Sequence, residues 1–433
     1  MYSIIIGLEV ALFLGIVIFI HELGHFFMAK KRGVKVEKFS LGFGPKIIGF
    51  KRGDTEYLIS VIPFGGYVKM AGENPEEELK GEKWEYLSQP FWARILIVTA
   101  GPFMNFVLAF ILFSLVYAIG MNIPTYSTKI GIVKTESEAS KLDIRVGDII
   151  TEIDGKNISN WEQLMRVFPK EGKVQIVLTR NQEKLTKELI VEKDKDFGIL
   201  PYRLPIVGSI VPMYPAEKAG LKPNDLIISI EGKEIKQWDE MSEIIYANPE
   251  KEISITVKRD DKILDFKLTP KATESEKINI KKIGLIGISP PVEMVYKERF
   301  GIFNSIGRGF TQTITLTGVI ADWFLKLLTG GVSVKESLGG PILIGQIAVK
   351  QAKAGLTDLM NFIAFLSLNL FILNLLPVPI FDGGHVVLCL IEGIRRKPLS
   401  LKIQTVLNHI GFAIIILLMV FATYNDIIRQ FKG

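Results

Sequence analysis

The stretch FIHELGHFFMAKKRG, residues 19–33, places two histidines and a glutamate near the end of an apolar segment. Between Ile4 and Ala29 the only other charged residue is Glu9. A charged side chain at the centre of a bilayer costs at least about 2.5 kcal/mol on insertion scales, so such residues are usually functional. A span needs about 20 apolar residues, which this segment supplies. We therefore expect a transmembrane helix that carries a polar site.

The polar residues of this segment follow the pattern His-Glu-x-x-His, with His21, Glu22 and His25. Residues four apart lie on one face of a helix, close enough for both imidazoles to bind one Zn²⁺. Glu22 follows His21 directly and can act as a general base toward water at the metal. The pattern predicts a zinc protease site within a transmembrane helix. A hydrogen-bonded histidine pair without a metal is the structural alternative.

A catalytic zinc site takes three protein ligands, so the chain must supply one more at a similar depth. In NLLPVPIFDGGH, residues 374–385, both Asp382 and His385 meet this requirement, and the sequence leaves the choice between them open. The prolines and glycines around them predict irregular backbone, which a membrane tolerates only where it faces protein or a water-filled cavity. Glu9 lies too far along the helix. For three other polar residues, Glu392, His409 and Asp426, we expect solvated side chains near the membrane interfaces.

The composition excludes several classes of protein. The chain has 433 residues, 48% of them apolar, and a formal net charge of +6. Its cations cluster beside apolar segments and form no separate basic domain, so membrane topology accounts for them better than nucleic acid does. The single cysteine, Cys389, excludes an intramolecular disulfide framework.

Four segments are predicted to span the membrane: Ile4–Ala29, Ile95–Ile119, Phe362–Ile394 with its proline and glycine interruptions, and Ile403–Tyr424. Ile302–Leu328 is also long, but Arg308, Asp322, Lys326 and several threonines interrupt it. We interpret it as an amphipathic helix on the outer membrane surface.

Lysines and arginines crowd residues 30–52 and 395–402 and are nearly absent at the two termini. The positive-inside rule then places these two loops in the cytoplasm and both termini outside. It follows that residues 122–358 are exported.

The exported region contains an internal repeat. The segment GDIITEIDGKNISNWEQL (147–164) matches NDLIISIEGKEIKQWDEM (224–241), and Trp161 corresponds to Trp238. Both copies resemble circularly permuted bacterial PDZ domains, which usually bind a peptide terminus as an added strand. Gly131–Val133 and Gly208–Ile210 are the positions expected for the carboxylate-binding loops. Packing modules without a peptide ligand are the alternative.

The chain resembles the site-2 protease family in several motifs and in its exported PDZ pair. The motifs are HELGH, NLLPVPIFDGGH, FSLGFGPKI (39–47), EYLISVIPFGGYVKM (56–70) and TAGPFMNF (99–106). The resemblance is to its bacterial type, which regulates sigma-E. It implies that His21, His25 and Asp382 bind zinc, that Glu22 is the catalytic base, and that His385 has a structural role. It also implies substrate contacts by Asn374, Pro377 and Pro379.

The segment EYLISVIPFGGYVKM predicts two short strands around Gly65 and Gly66. By the resemblance this β-hairpin, residues 54–72, enters the membrane from the cytoplasmic side. Its edge would hold the substrate extended, because a helix hides its carbonyls in its own hydrogen bonds. An ordinary cytoplasmic hairpin is the alternative.

The sequence thus predicts a polytopic α-helical membrane protein with four transmembrane helices, a membrane β-hairpin and two exported mixed α/β PDZ domains. The expected activity is zinc-dependent cleavage of single-span membrane proteins, of which a trimmed anti-sigma factor is the expected substrate, in a bacterial inner membrane. Lipid and PDZ peptide ligands are the other expected partners. The alternatives are a membrane-anchored zinc protease of soluble or misfolded proteins and a non-catalytic PDZ scaffold. Metal transport fits poorly because no chain of polar residues crosses the membrane.

The expected domains follow from these assignments. They are an N-terminal membrane part (1–120), a first PDZ domain (126–198), a second PDZ domain (203–290), a linker with the amphipathic helix (291–358) and a C-terminal membrane part (359–433).

Overall fold

The computed structural model describes residues 2–432 except 75–79, 170, 192–196, 212, 275–281, 331–338 and 398–399. The chain divides into two compact units. The first contains Met1–Met121 and Glu298–Gln430, and the second contains Asn122–Lys297 with the last three residues.

The described helices are α1 Tyr2–Lys31, α2 Phe91–Ile119, α3 Glu138–Lys141, α4 Trp161–Val167, α5 Pro215–Ala219, α6 Trp238–Tyr246, α7 Ile302–Leu328, α8 Pro341–Ala354, α9 Leu356–Leu375, α10 Asp382–Arg395 and α11 Leu401–Lys432. The described strands are β1 Val36–Arg52, β2 Thr55–Met70, β3 Met121–Thr125, β4 Ile130–Val133, β5 Ile149–Ile153, β6 Lys156–Asn157, β7 Gly172–Arg180, β8 Glu183–Val191, β9 Ile199–Pro201, β10 Ser209–Ile210, β11 Leu226–Ile230, β12 Lys233–Glu234, β13 Ile253–Arg259, β14 Lys262–Leu268, β15 Lys271–Glu274, β16 Lys282–Leu285, β17 Ile288–Ser289 and β18 Met294–Glu298.

Three helices among the described residues are long and apolar enough to cross a membrane. They are α2, α9 and residues 405–428 of α11. Helix α1, which carries the His-Glu-x-x-His pattern, runs for 30 residues. The third predicted span is divided in two, because α9 ends at Leu375 and α10 begins at Asp382. The total of four spans remains a prediction.

Small residues make the break between α9 and α10 possible. A Cβ on Gly383 would clash with the main-chain oxygen of Leu375, and one on Gly384 would clash with that of Val378. The chain can therefore fold back tightly on itself here, and Asp382 is placed in the first turn of α10. This is the irregular backbone that the sequence predicted.

The hairpin predicted around Gly65 and Gly66 does not form, because the segments on either side of these glycines pair with residues 36–41 and not with each other. Residues 55–70 form one strand, and the chain reverses near Arg52 and Thr55, which pair with each other. Segment 36–41 pairs with both 56–59 and 66–70, while 46–52 pairs with 55–60. The two long strands thus fold into a sheet of four segments, with 66–70 at one edge. Gly65 lies where the strand bends, at a φ of 134° that favours glycine.

Helix α7 packs along two of the apolar helices. Ile320 belongs to a buried cluster with Phe113 of α2 and with Leu368 of α9. Phe310 contacts Phe110 edge-to-face at 6.0 Å between ring centroids. Position on the outer membrane surface remains a prediction for α7, but one of its faces is covered by these two helices.

The expectation of a solvated side chain at Asp426 is wrong. Asp426 is 2% exposed, and its carboxylate accepts hydrogen bonds from the main-chain N–H groups of Gly340 (2.9 Å) and Leu343 (3.0 Å). These are orphan donors at the start of α8, which no residue of that helix can satisfy. Asp426 therefore caps α8 from α11. His409 is exposed, as expected.

The second unit contains two modules of the same construction. In strand order, their sheets are β6-β5-β7-β8 and β12-β11-β13-β14. Each sheet covers a core of aliphatic side chains, and Trp238 is buried in the second core. Asp148 pairs with Arg180 in the first module as Asp225 pairs with Arg259 in the second.

Each position expected for a carboxylate-binding loop makes a hydrogen bond within this unit. The N–H of Gly208 donates to the Ser289 oxygen at 2.8 Å, so it is not available to a peptide carboxylate. The Gly131 oxygen accepts a hydrogen bond from Gln237 Nε2 at 2.8 Å. The second module thereby contacts the predicted loop of the first.

Candidate metal centre

Helix α1 presents the two histidines of the His-Glu-x-x-His pattern on one face. Their Nε2 atoms lie 3.1 Å apart, and the rings meet edge-to-face with centroids 4.8 Å apart. Both side chains are nearly buried, at 11% exposure for His21 and 12% for His25. The four-residue spacing alone accounts for this pairing.

Asp382 reaches the same point from the start of α10. Its Oδ2 lies 3.2 Å from His21 Nε2, and its Oδ1 lies 3.6 Å from His25 Nε2. His385 is one turn further along α10 and lines the same cavity, but it does not belong to this cluster. Of the two residues that the sequence left open, the structure therefore brings Asp382 to the histidine pair.

The three donors fit a zinc ion. Zinc–nitrogen and zinc–oxygen bonds of about 2.1 Å in a tetrahedron separate the ligand atoms by about 3.4 Å. The observed separations of 3.1, 3.2 and 3.6 Å bracket that distance. Two imidazoles and a carboxylate also form a common donor set of catalytic zinc sites. Within the part of the chain that the structure describes, this is the one group of three such residues with converging ligand atoms.

Helix α2 holds both imidazole rings from behind. His25 Nδ1 lies 2.9 Å from the main-chain oxygen of Ile97, and His21 Nδ1 lies 3.3 Å from the side-chain amide of Asn105. Gly101 permits this approach, because a Cβ there would clash with the His25 ring. With both Nδ1 atoms engaged on α2, both Nε2 atoms face Asp382.

Sequence reasoning missed Asn105. The residue stands in TAGPFMNF, which carried the resemblance only as a whole motif. The available signal was a polar amide within an otherwise apolar span. Because a buried amide is costly without a partner, such a residue is expected to have a specific contact.

Glu22 lies beside the three candidate metal ligands on the wall of a cavity of about 610 Å³. Its carboxylate is hydrogen-bonded by the main chain of Val68 in β2. Gly66 of the same strand packs close by, since a Cβ there would lie 3.1 Å from Glu22 Cγ. The outer segment of the sheet therefore contacts the residue that is predicted to act as the base.

The cavity brings together most of the predicted substrate contacts. Gly65, Gly66 and Asn374 line it with the metal cluster. Pro377 and Pro379 lie in the break between α9 and α10 but are not part of the described cavity wall. Their neighbour Ile380 is part of that wall.

A buried ion pair lies at another part of the cavity wall. Arg94 Nη2 of α2 donates to Glu392 Oε2 of α10 at 2.6 Å, and the two side chains are 11% and 7% exposed. The expectation of a solvated Glu392 is therefore wrong. The pair ties α2 to the helix that carries Asp382.

The chain is similar to known proteins over nearly its whole length. A family model described as peptidase family M50 matches residues 9–418. A putative zinc metalloprotease of Neisseria meningitidis serogroup A is 32% identical over 96% of this chain and 97% of its own length. The regulator of sigma-E protease RseP of Escherichia coli (strain K12) is 33% identical over the same shares. The solved PDZ domain of the SdrC-like protein from Listeria monocytogenes is 27% identical, covers 21% of this chain and 90% of its own, and has a TM-score of 0.17.

Proposed function

The chain belongs to peptidase family M50, the site-2 proteases, and we propose that it cleaves peptide bonds within the transmembrane segments of single-span membrane proteins. It is a zinc metalloprotease, as its relatives are. The observation that carries the proposal is the convergence of three metal donors around the apolar helix of the His-Glu-x-x-His pattern. A protease that cuts soluble chains has no need of a site built into such a helix.

We assign the zinc to His21, His25 and Asp382. Zinc bound there supplies Lewis acidity, which makes water nucleophilic near neutral pH and polarises the peptide carbonyl. Glu22 accepts the proton that the attacking water loses. It then delivers that proton to the peptide nitrogen as the carbon–nitrogen bond breaks, so one carboxyl group and one amine are formed per water consumed.

The sheet supports a role in holding the substrate. Segment 66–70 is an edge of this sheet, and it also lines the cavity beside Glu22. An edge strand can pair with an extended segment through its outward main-chain groups, although here Glu22 and Glu73 accept from the main chain of Val68 and Met70. Pairing there would keep the scissile carbonyl out of helical hydrogen bonds. Asn374 adds an amide on the opposite helix, and Pro377 and Pro379 shape the break that opens the cavity.

The proposed substrate is an anti-sigma factor whose outer domain has already been trimmed. A relative that is named for the regulation of sigma-E supports this choice. The basic loops after α1 and after α10 support a location in a bacterial inner membrane with the active site toward the cytoplasm. The two PDZ-like modules would then lie on the periplasmic side, where they could exclude untrimmed ectodomains.

The test uses the purified full-length chain in detergent with a tagged single-span substrate, and it measures zinc content beside cleavage. The variants are Glu22→Gln, Asp382→Ala and His385→Ala. We expect the wild type to cut within the span, Glu22→Gln to hold zinc without cutting, and Asp382→Ala to lose zinc. Full zinc and activity in Asp382→Ala, with loss of zinc in His385→Ala, would overturn the ligand assignment. Cleavage only outside the span would indicate a membrane-anchored protease instead.

A further inference from the structure

Asn105 is a polar residue in the interior of a transmembrane helix. Its exposure is 0%, although an unpaired amide in an apolar environment costs about 1–3 kcal/mol on protein scales. The main-chain oxygen of Asn105 accepts a hydrogen bond from Ser367 Oγ of α9 at 2.8 Å. That contact would form with any residue at position 105, so it does not account for the amide.

The side-chain contact of Asn105 is with a metal donor. Asn105 Nδ2 lies 3.3 Å from His21 Nδ1. Its other amide atom, Oδ1, is buried without a hydrogen-bond partner among the described residues. A buried polar atom without a partner in a native structure requires an explanation.

Metal binding restricts the direction of this hydrogen bond. A neutral imidazole carries one proton, and if Nε2 gives its lone pair to zinc the proton is on Nδ1. His21 Nδ1 is then a donor and requires an acceptor. His25 satisfies the same requirement with the Ile97 oxygen. A half-turn of the Asn105 amide exchanges its two atoms: Oδ1 then faces His21 Nδ1 as an acceptor, and Nδ2 takes the position that Oδ1 occupied.

We propose that Asn105 is the positioning residue of His21: its amide oxygen accepts a hydrogen bond from Nδ1–H and thereby holds Nε2 toward the metal. The inference rests on the zinc ligands assigned above. A ligating histidine usually donates its other ring N–H to a carboxylate, a main-chain carbonyl or water. Here a neutral acceptor avoids a further negative charge beside Glu22 and Asp382.

The experiment measures zinc retention by the full-length chain against graded concentrations of a chelator. Leucine at position 105 has a similar volume and cannot accept a hydrogen bond, so Asn105→Leu is expected to bind zinc about 10–100-fold more weakly. Asn105→Asp keeps the shape and a stronger acceptor, so it is expected to bind zinc at least as tightly as the wild type. Ser367→Ala is the matched control, because it removes a contact to the same residue and leaves the amide; it is expected to retain wild-type zinc affinity.

A second readout separates positioning from general stability. With cobalt in place of zinc, the visible absorption bands report the ligand geometry. We expect Asn105→Leu to change these bands and Ser367→Ala to leave them unchanged. Wild-type affinity and bands in Asn105→Leu would overturn the inference. If that variant does not fold, Asn105→Asp decides: zinc binding tenfold weaker than in the wild type would also overturn it, because the amide would then be a donor.

The outcome for the wild type distinguishes this inference from the proposed function. A wild-type chain that binds no zinc contradicts the ligand assignment itself. One zinc per wild-type chain with equal affinity in Asn105→Leu contradicts only the role of Asn105.

Discussion

The ion pair between Arg94 and Glu392 is expected to hold α2 and α10 together. At 2.6 Å, two unit charges attract by about 6 kcal/mol in an effective dielectric of 20. Desolvation of both groups offsets much of this attraction, but loss of one partner leaves an uncompensated buried charge and costs about 3–5 kcal/mol. Glu392→Met and Arg94→Met should each show this cost. The double variant Arg94→Met with Glu392→Met should lose far less than the sum.

The single cysteine provides the assay. Cys389 lies one turn before Glu392 on α10 and lines the cavity, but it is only 5% exposed, so a thiol reagent reaches it mainly when this region opens. A loss of 3 kcal/mol corresponds to about a 100-fold higher population of the open form. Both single variants should therefore be alkylated about 100-fold faster than the wild type under mild conditions.

An exposed ion pair provides the control for this cycle. Lys46 and Glu56 also approach to 2.6 Å, but their side chains are 46% and 32% exposed. Such pairs contribute at most about 1 kcal/mol, so Lys46→Met should leave Cys389 alkylation unchanged. Wild-type alkylation rates in both single variants would refute the argument, as would a double variant that reacts as fast as the sum of the single effects predicts.

Three further predictions concern other parts of the chain. Gly101→Ala should lower zinc retention by at least tenfold in chelator titrations, because its methyl group would displace the His25 ring. Burial opposes ionisation of Asp148, but hydrogen bonds, the strongest of them from Arg180, outweigh this effect and lower the Asp148 pKa. The pair should therefore stabilise the first module above about pH 4 and lose that effect as the pH falls through the lowered pKa. The difference in Tm between wild type and Asp148→Asn should accordingly shrink in acid. Asp426→Ala removes a helix cap that contributes about 1 kcal/mol, which should speed amide exchange in the first turn of α8; unchanged exchange there would contradict the capping role.

The histidine pair could be predicted from the sequence because it depends on one helix. Residues at i and i+4 share a face wherever a helix forms, so the separation of His21 and His25 needed no tertiary information. The choice between Asp382 and His385 did. Three residues apart, both lie near the start of α10, and only the fold of the break shows that Asp382 meets the pair.

The incorrect expectations have a common cause. The positions of Glu392 and Asp426 along the chain, near a membrane interface, predict solvated side chains, yet their partners, Arg94 and Gly340, come from distant segments. The local pattern around Gly65 and Gly66 predicts a sheet formed by a hairpin at these two glycines. Its strands instead pair according to contacts with residues 36–52, which local periodicity does not contain.

By itself, the sequence determined the features that depend on local spacing and composition: the apolar helices, the His-Glu-x-x-His face, the duplicated module and the irregular backbone before Asp382. Only the tertiary structure decided which distant side chains complete the site: Asp382 as the third donor, Asn105 behind His21, and the sheet edge beside Glu22. The physical reason is that a metal centre is a convergence of atoms from separate elements. Hydrophobic periodicity specifies each element, but the packing between elements sets the few ångströms on which the chemistry depends.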